Sequence, residues 1–135
     1  MTLRGVAKGD SKMQSEKEKF KENFIKRLIK FSVDILNFSE SIKSRRILWP
    51  IADQLIRSAS SIGANVVEAK SSSSRRDYIH FFEIALKSAN ETKYWLIVIK
   101  ESAIEFSEAT IKLYNEADEI SKVIGSSILT LKDKK

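Results

Sequence analysis

The chain has 135 residues, 42% hydrophobic and 31% charged, which is enough for one domain with its own core. It has no cysteine, which excludes disulfides, thiolate metal sites and a cysteine nucleophile, and its single histidine, His80, excludes a multi-histidine metal centre within one chain. The net charge is +6, no secretory-signal pattern is legible, and no apolar run nears the ~20 residues of a membrane span, so the expected location is the cytoplasm.

One proline and four glycines leave few helix breakers, so long helices are expected. Residues 1–17 lack apolar periodicity and read as a flexible segment, with Met13 as an alternative start. A first helix is expected from Glu18 to Ile42. Phe20, Phe24, Leu28, Phe31, Ile35, Phe38 and Ile42 form one stripe at helical period. Residues 43–49 connect it to a second helix, Pro50 to Ala69, with proline in the first turn where its missing N–H costs nothing. That helix carries Ile51, Leu55, Ala59, Ile62, Val66 and Ala69, and Gly63 within it suggests a close neighbour.

Ser71 to Ser74 reads as a loop, with Ser74 capping a third helix from Arg75 to Ser102. Its stripe, Tyr78, Phe81, Ala85, Ser88, Thr92, Trp95 and Ile99, is widened by Phe82, Leu86, Ala89 and Leu96. A stripe so wide meets more than one neighbour. Ser107 then caps a fourth helix, Glu108 to Leu131, with Leu113, Ala117, Ile120, Ile124, Ile128 and Leu131 inside. Four amphipathic helices with short connections predict an all-α, antiparallel up-down-up-down four-helix bundle over residues 18–135.

The second and third helices carry polar residues at or beside core positions: Arg57, Ser61, Asn65, Glu68, Ser88 and Glu91. With equal rise on both arms of the hairpin, Arg57 falls opposite Ser88 and within a turn of Glu91, Asn65 opposite His80, and Glu68 near Arg76 and Asp77. Such a set reads as a structural polar network fixing helix register. The alternative, an enzyme site built on Arg57, Glu91 and His80, lacks a pocket signal. No nucleophile elbow, glycine loop or paired Glu-x-x-His motif is present, so neither catalysis nor a metal or other cofactor is expected.

Charge is uneven. Residues 1–76 carry 16 Lys/Arg against 8 Asp/Glu, and residues 77–135 carry 8 against 10. Bundle topology gathers residues 12–30, 68–77 and 127–135 at one end, with a net +7, and residues 40–53 and 100–108 at the other, with −1. Lys26, Arg27, Lys30, Lys70, Arg75 and Arg76 are the candidate phosphate-binding residues for an RNA or DNA partner. The competing reading is a protein-interaction scaffold using Trp49, Tyr94 and Trp95.

Gln54, Leu55, Arg57, Ser61, Ile62, Asn65 and Glu68, followed by Phe81, Ala85, Ser88 and Glu91, resemble the pattern of a small bacterial family, the proteins encoded in 23S rRNA intervening sequences. The resemblance spans about residues 24–131. Two positions depart from it. Ala69-Lys70 replaces a glycine after Glu68, which extends the second helix, and Lys87 replaces a small residue before Ser88. The resemblance implies a four-helix bundle that assembles as a homo-oligomer, a pentamer. It also implies kinship with the accessory variability protein of diversity-generating retroelements, a similar bundle that binds nucleic acid alongside a reverse transcriptase.

Overall fold

The computed structural model describes residues 4–133, with side chains for residues 12, 13 and 15–133. Its helices are α1 (Arg4–Ser41), α2 (Trp49–Lys70), α3 (Arg75–Ser102) and α4 (Ser107–Asp133). α2 packs on α3, α3 on α4, and α1 closes the ring against both α2 and α4. This is the antiparallel up-down-up-down bundle that the four apolar stripes require.

The connections follow from local chemistry. Single 3-10 turns, Arg46–Leu48 and Ile104–Phe106, lead into α2 and α4 at one end. Arg45 and Glu105 join the two connections at 2.6 Å. The Glu105 carboxyl is held below its ordinary range by its own backbone N–H and then by Arg45. At the other end residues 71–74 link α2 to α3, and the Asp77 N–H donates to the Ser74 hydroxyl at 3.1 Å, as the capping pattern predicts.

The core takes Phe24, Leu28, Phe31, Ile35, Phe38 and Ile42 from α1, and Leu55, Ala59, Ile62, Val66 and Ala69 from α2. Phe82, Ala85, Ala89, Leu96 and Ile99 come from α3, and Ala117, Ile120, Ile124 and Ile128 from α4. Ile51, Tyr78, Phe81, Trp95 and Leu113, expected inside, pack against it only partly buried. Phe38 meets Phe106 edge-on at 6.4 Å. A Cβ added to Gly63 would stand 3.4 Å from Leu28 Cβ, so α1 and α2 lie at ordinary contact there. The close neighbour expected at Gly63 is therefore the Leu28 side chain.

Two expectations change. α1 begins at Arg4 rather than near Glu18, because residues 4–17 contain no proline and are rich in the good helix formers Lys, Glu, Gln and Met. Phe20 is not core; it is 60% exposed. Leu28 faces Gly63, so at equal rise the end of α2 lies level with about residue 21 of α1. Phe20 sits past that end, where α2 has no residue to cover it.

Ser39 on α1 is buried, and its hydroxyl has no hydrogen-bond partner among the described residues. An unsatisfied buried hydroxyl costs about 1 kcal/mol or more. Ser39→Ala is expected to stabilise the protein by about that amount, seen as a higher urea midpoint at unchanged m-value. A lower midpoint would show that the hydroxyl is satisfied.

Candidate functional site

The bundle is open at the end where α2 stops. A cleft of about 820 Å³ lies between residues 13–25 of α1, the α2–α3 loop, the start of α3 and the last turns of α4. Its cations are Lys17 and Lys21 from α1, Lys70 from α2 and Arg75 from α3, and Glu16 is the one carboxylate among the described lining residues. Its aromatic wall has two stacked pairs. Phe20 lies on Phe24 at 6.5 Å with 13° between planes, and Tyr78 on Phe82 at 4.9 Å and 17°. Lys21 Nζ stands 5.4 Å from the centre of the Tyr78 ring. Burial pushes the Tyr78 phenol above its ordinary value, so it stays protonated near neutrality. Ser126, Ser127 and Thr130 of α4 and Ser72 to Ser74 of the loop add hydroxyls.

Residues 13–25 of α1, the end of α4 and the α2–α3 loop thus share this pole. The six candidate cations do not all share the cleft. Lys70 and Arg75 line it. Arg76 is exposed at the start of α3, and Lys26 is exposed on α1; neither lines the cleft. Lys30 pairs with Asp34 one turn along α1 at 2.9 Å. Lys134 and Lys135, counted in the basic end, lie outside the described residues.

Arg27 has a different task. Its Nε and Nη2 donate to the two Glu116 oxygens at 2.8 and 2.7 Å, and Nη2 also reaches Glu119 at 3.4 Å. These bonds, Glu116 foremost, raise the guanidinium pKa, so the group is locked in its charged form. Arg27 ties α1 to α4. Sequence reading missed Lys17, Lys21 and Tyr78 as site residues. The first two stand in the strongly basic stretch 12–30, which was the available signal.

The polar network is real but differently composed. The Ser88 hydroxyl donates to Ser61 Oγ at 2.9 Å, and Asn65 Nδ2 donates to Ser61 Oγ and to the Ser61 carbonyl. Ser58 Oγ and Thr92 Oγ1 stand 2.9 Å apart, and Thr92 also donates to the Ser88 carbonyl. Ser58 and Thr92 complete the network, and both are buried. Arg57, Glu68 and Glu91 are exposed outside it, and Glu91 accepts instead from the Trp95 indole at 3.3 Å. The register explains this. Ser88 meets Ser61, one turn beyond Arg57, so the expected Arg57–Ser88 and Asn65–His80 neighbours move apart, while Arg57 and Glu91 stay nearly level but are both exposed off the seam. Residues in extended conformation, such as Ser74, advance about twice as far as helical ones. The loop therefore starts α3 about one turn past the end of α2. His80 is exposed on α3, and among the described residues no three His, Asp or Glu side chains gather as a metal site. No described helix is long and apolar enough to cross a membrane.

Residues 21–126 match the family model of the 23S rRNA-intervening sequence protein. The fold is similar to a crystal structure of a protein with unknown function from the S23 ribosomal protein family of Bacteroides thetaiotaomicron VPI-5482. The two are 34% identical, with a TM-score of 0.73 over 78% of this chain and 97% of that one. No curated protein matches the chain.

Because Arg27 is committed to Glu116, Arg27→Gln is expected to lower stability by about 0.5–1 kcal/mol, the upper range for partly exposed pairs, and to leave polyanion binding within a factor of about two. Denaturation and a heparin-binding isotherm on the same variant check this. A large loss of heparin affinity would return Arg27 to the binding surface.

Proposed function

The chain belongs to the 23S rRNA-intervening sequence protein family, and from that premise we propose that it is a non-enzymatic, homo-oligomeric four-helix bundle of the cytoplasm that binds RNA or DNA phosphates through its basic end. The observation that carries this reading is the convergence of Lys17, Lys21, Lys70 and Arg75 on one cleft with a single facing carboxylate. Several cations outside the cleft are held by carboxylates. Lys93 pairs with Asp118, Lys132 with Glu83, and Arg45 with Glu105. The N-terminal end of α3 also faces the loop side of the cleft, adding its partial positive charge. The kinship with the accessory variability protein, a nucleic-acid-binding bundle, that the sequence resemblance implies points the same way.

Self-association is supported by the outer face of α1. Ile29, Val33 and Leu36 stand at helical spacing, each about half exposed, on a face that no other helix covers. A second reading, a protein-interaction scaffold, is favoured by the apolar residues of the opposite end, where Ile47, Trp49 and Ile104 are exposed beside the Arg45–Glu105 pair.

Fluorescence anisotropy with a structured RNA and a matched DNA duplex, across a salt series, tests the main reading. Binding is expected, with log affinity falling linearly as log salt rises. Lys17→Gln, Lys21→Gln and Lys70→Gln together should flatten that slope by about one for each phosphate left without its lysine, with unchanged circular dichroism. Equal affinity and slope in the triple variant would remove the cleft from the binding surface. Separately, Val33→Glu should shift the light-scattering mass towards the 15.4 kDa of one chain. An unchanged mass would place any interface elsewhere.

A further inference from the structure

The cleft at the basic end is more than a charged patch. Its recess is of small-molecule dimensions, about 820 Å³. Inside it Phe20 is 60% exposed, its ring nearly parallel to that of Phe24 with 6.5 Å between centroids. An exposed phenylalanine flanked by Lys17 and Lys21 combines what a nucleotide offers in reverse: a flat apolar ring beside a negative charge. Stacking on an aromatic face works for every base, and nearby lysines hold the phosphates on either side. In a duplex the base faces are covered by their neighbours, so only an unpaired base can use this ring.

We infer that the cleft accepts an unpaired nucleotide of a single-stranded polynucleotide. Its base stacks on Phe20, and its flanking phosphates lie on Lys17, Lys21 and Lys70. The inference deepens the nucleic-acid reading above and rests on it. The Thr130 and Ser126 hydroxyls stand in the same cleft and can meet the base edge. Hydroxyls both donate and accept, so they suit any base and predict little sequence preference. Charge complementarity selects the occupant: an apolar peptide would leave the lysines uncompensated, and an acidic one would leave the ring without a stacking partner.

The test uses the full chain and short labelled mixed-sequence strands, RNA and DNA, single and annealed. Wild type is expected to prefer the single strands, with the RNA and DNA arms showing which sugar is taken. Phe20→Ala, folded by circular dichroism, should lose roughly tenfold in single-strand affinity while its duplex affinity and salt slope stay unchanged. Phe20→Trp should keep the affinity and show quenched indole emission on binding, over the constant background of Trp49 and Trp95. Intact binding with no loss in Phe20→Ala, or a preference for duplex, would overturn the inference and leave the phosphate reading standing. No binding of any strand by wild type at low salt would overturn both.

Discussion

The register between α2 and α3 is the constraint from which the rest of the structure follows. It is fixed where two helix backbones approach across small side chains: Ser58 against Thr92, and Ser61 against Ser88 with Asn65 behind. A hydroxyl buried between helices is costly when unpaired and worth about 1 kcal/mol when paired. A slip of either helix by one turn would break these hydrogen bonds together. The apolar neighbours Leu55, Ala59, Ile62, Ala85, Ala89 and Leu96 would tolerate such a slip better, because apolar burial is not directional. The hydroxyls therefore specify which of several oily alignments is used. That alignment starts α3 about one turn beyond the end of α2, and the cleft opens in the resulting gap.

Charge is distributed on the same scaffold. The helices that hold the bundle together are tied at their edges by long side chains, Arg27 to Glu116 across α1 and α4, and Lys93 to Asp118 across α3 and α4. Asp118 is held below the ordinary carboxylate range, first by Lys122 and then by Lys93. These pairs consume charge locally and contribute little field at a distance. Lys17, Lys21 and Lys70 share the recess with one described carboxylate, Glu16, so the lining is net positive and its field concentrates there. The overall charge of +6 says less about the partner than its concentration in this recess does.

The helices were legible because apolar spacing is strong over long stretches. α3 has the expected ends, and Ser74 caps it as the sequence suggests. The polar run in α2 also announced a network. What could not be read was where the partners meet, because pairing across a hairpin depends on how far a four-residue loop travels. The loop, with Ser74 extended, shifted the pairing by a turn and set Ser61 rather than Arg57 against Ser88. The basic end was legible as a sum of charges. Its division was not: Arg27 and Glu116 are 89 positions apart, and nothing local marks one as the other's partner. Phe20 failed for a related reason. Helical period places it in the stripe, but the stripe is core only as far as a neighbouring helix extends.

The junction after Glu68 connects these points. Where the resembling family pattern has a glycine, this chain has Ala69-Lys70, and α2 continues to Lys70. A glycine there would favour an earlier stop, since it is the residue that most readily ends a helix. Ala69 is fully buried, so the extra part-turn of helix is anchored by packing as well as by propensity. Its consequence is to carry a lysine to the lip of the cleft on a helix, where its backbone position is set, rather than on a loop. Lys87, the other departure, is exposed on α3 and is not among the residues of the cleft. Of the two substitutions, only the one at the end of α2 alters the charge of the recess. It does so by lengthening the helix whose early end creates that recess, so the size of the cleft and its positive charge are set by the same few residues.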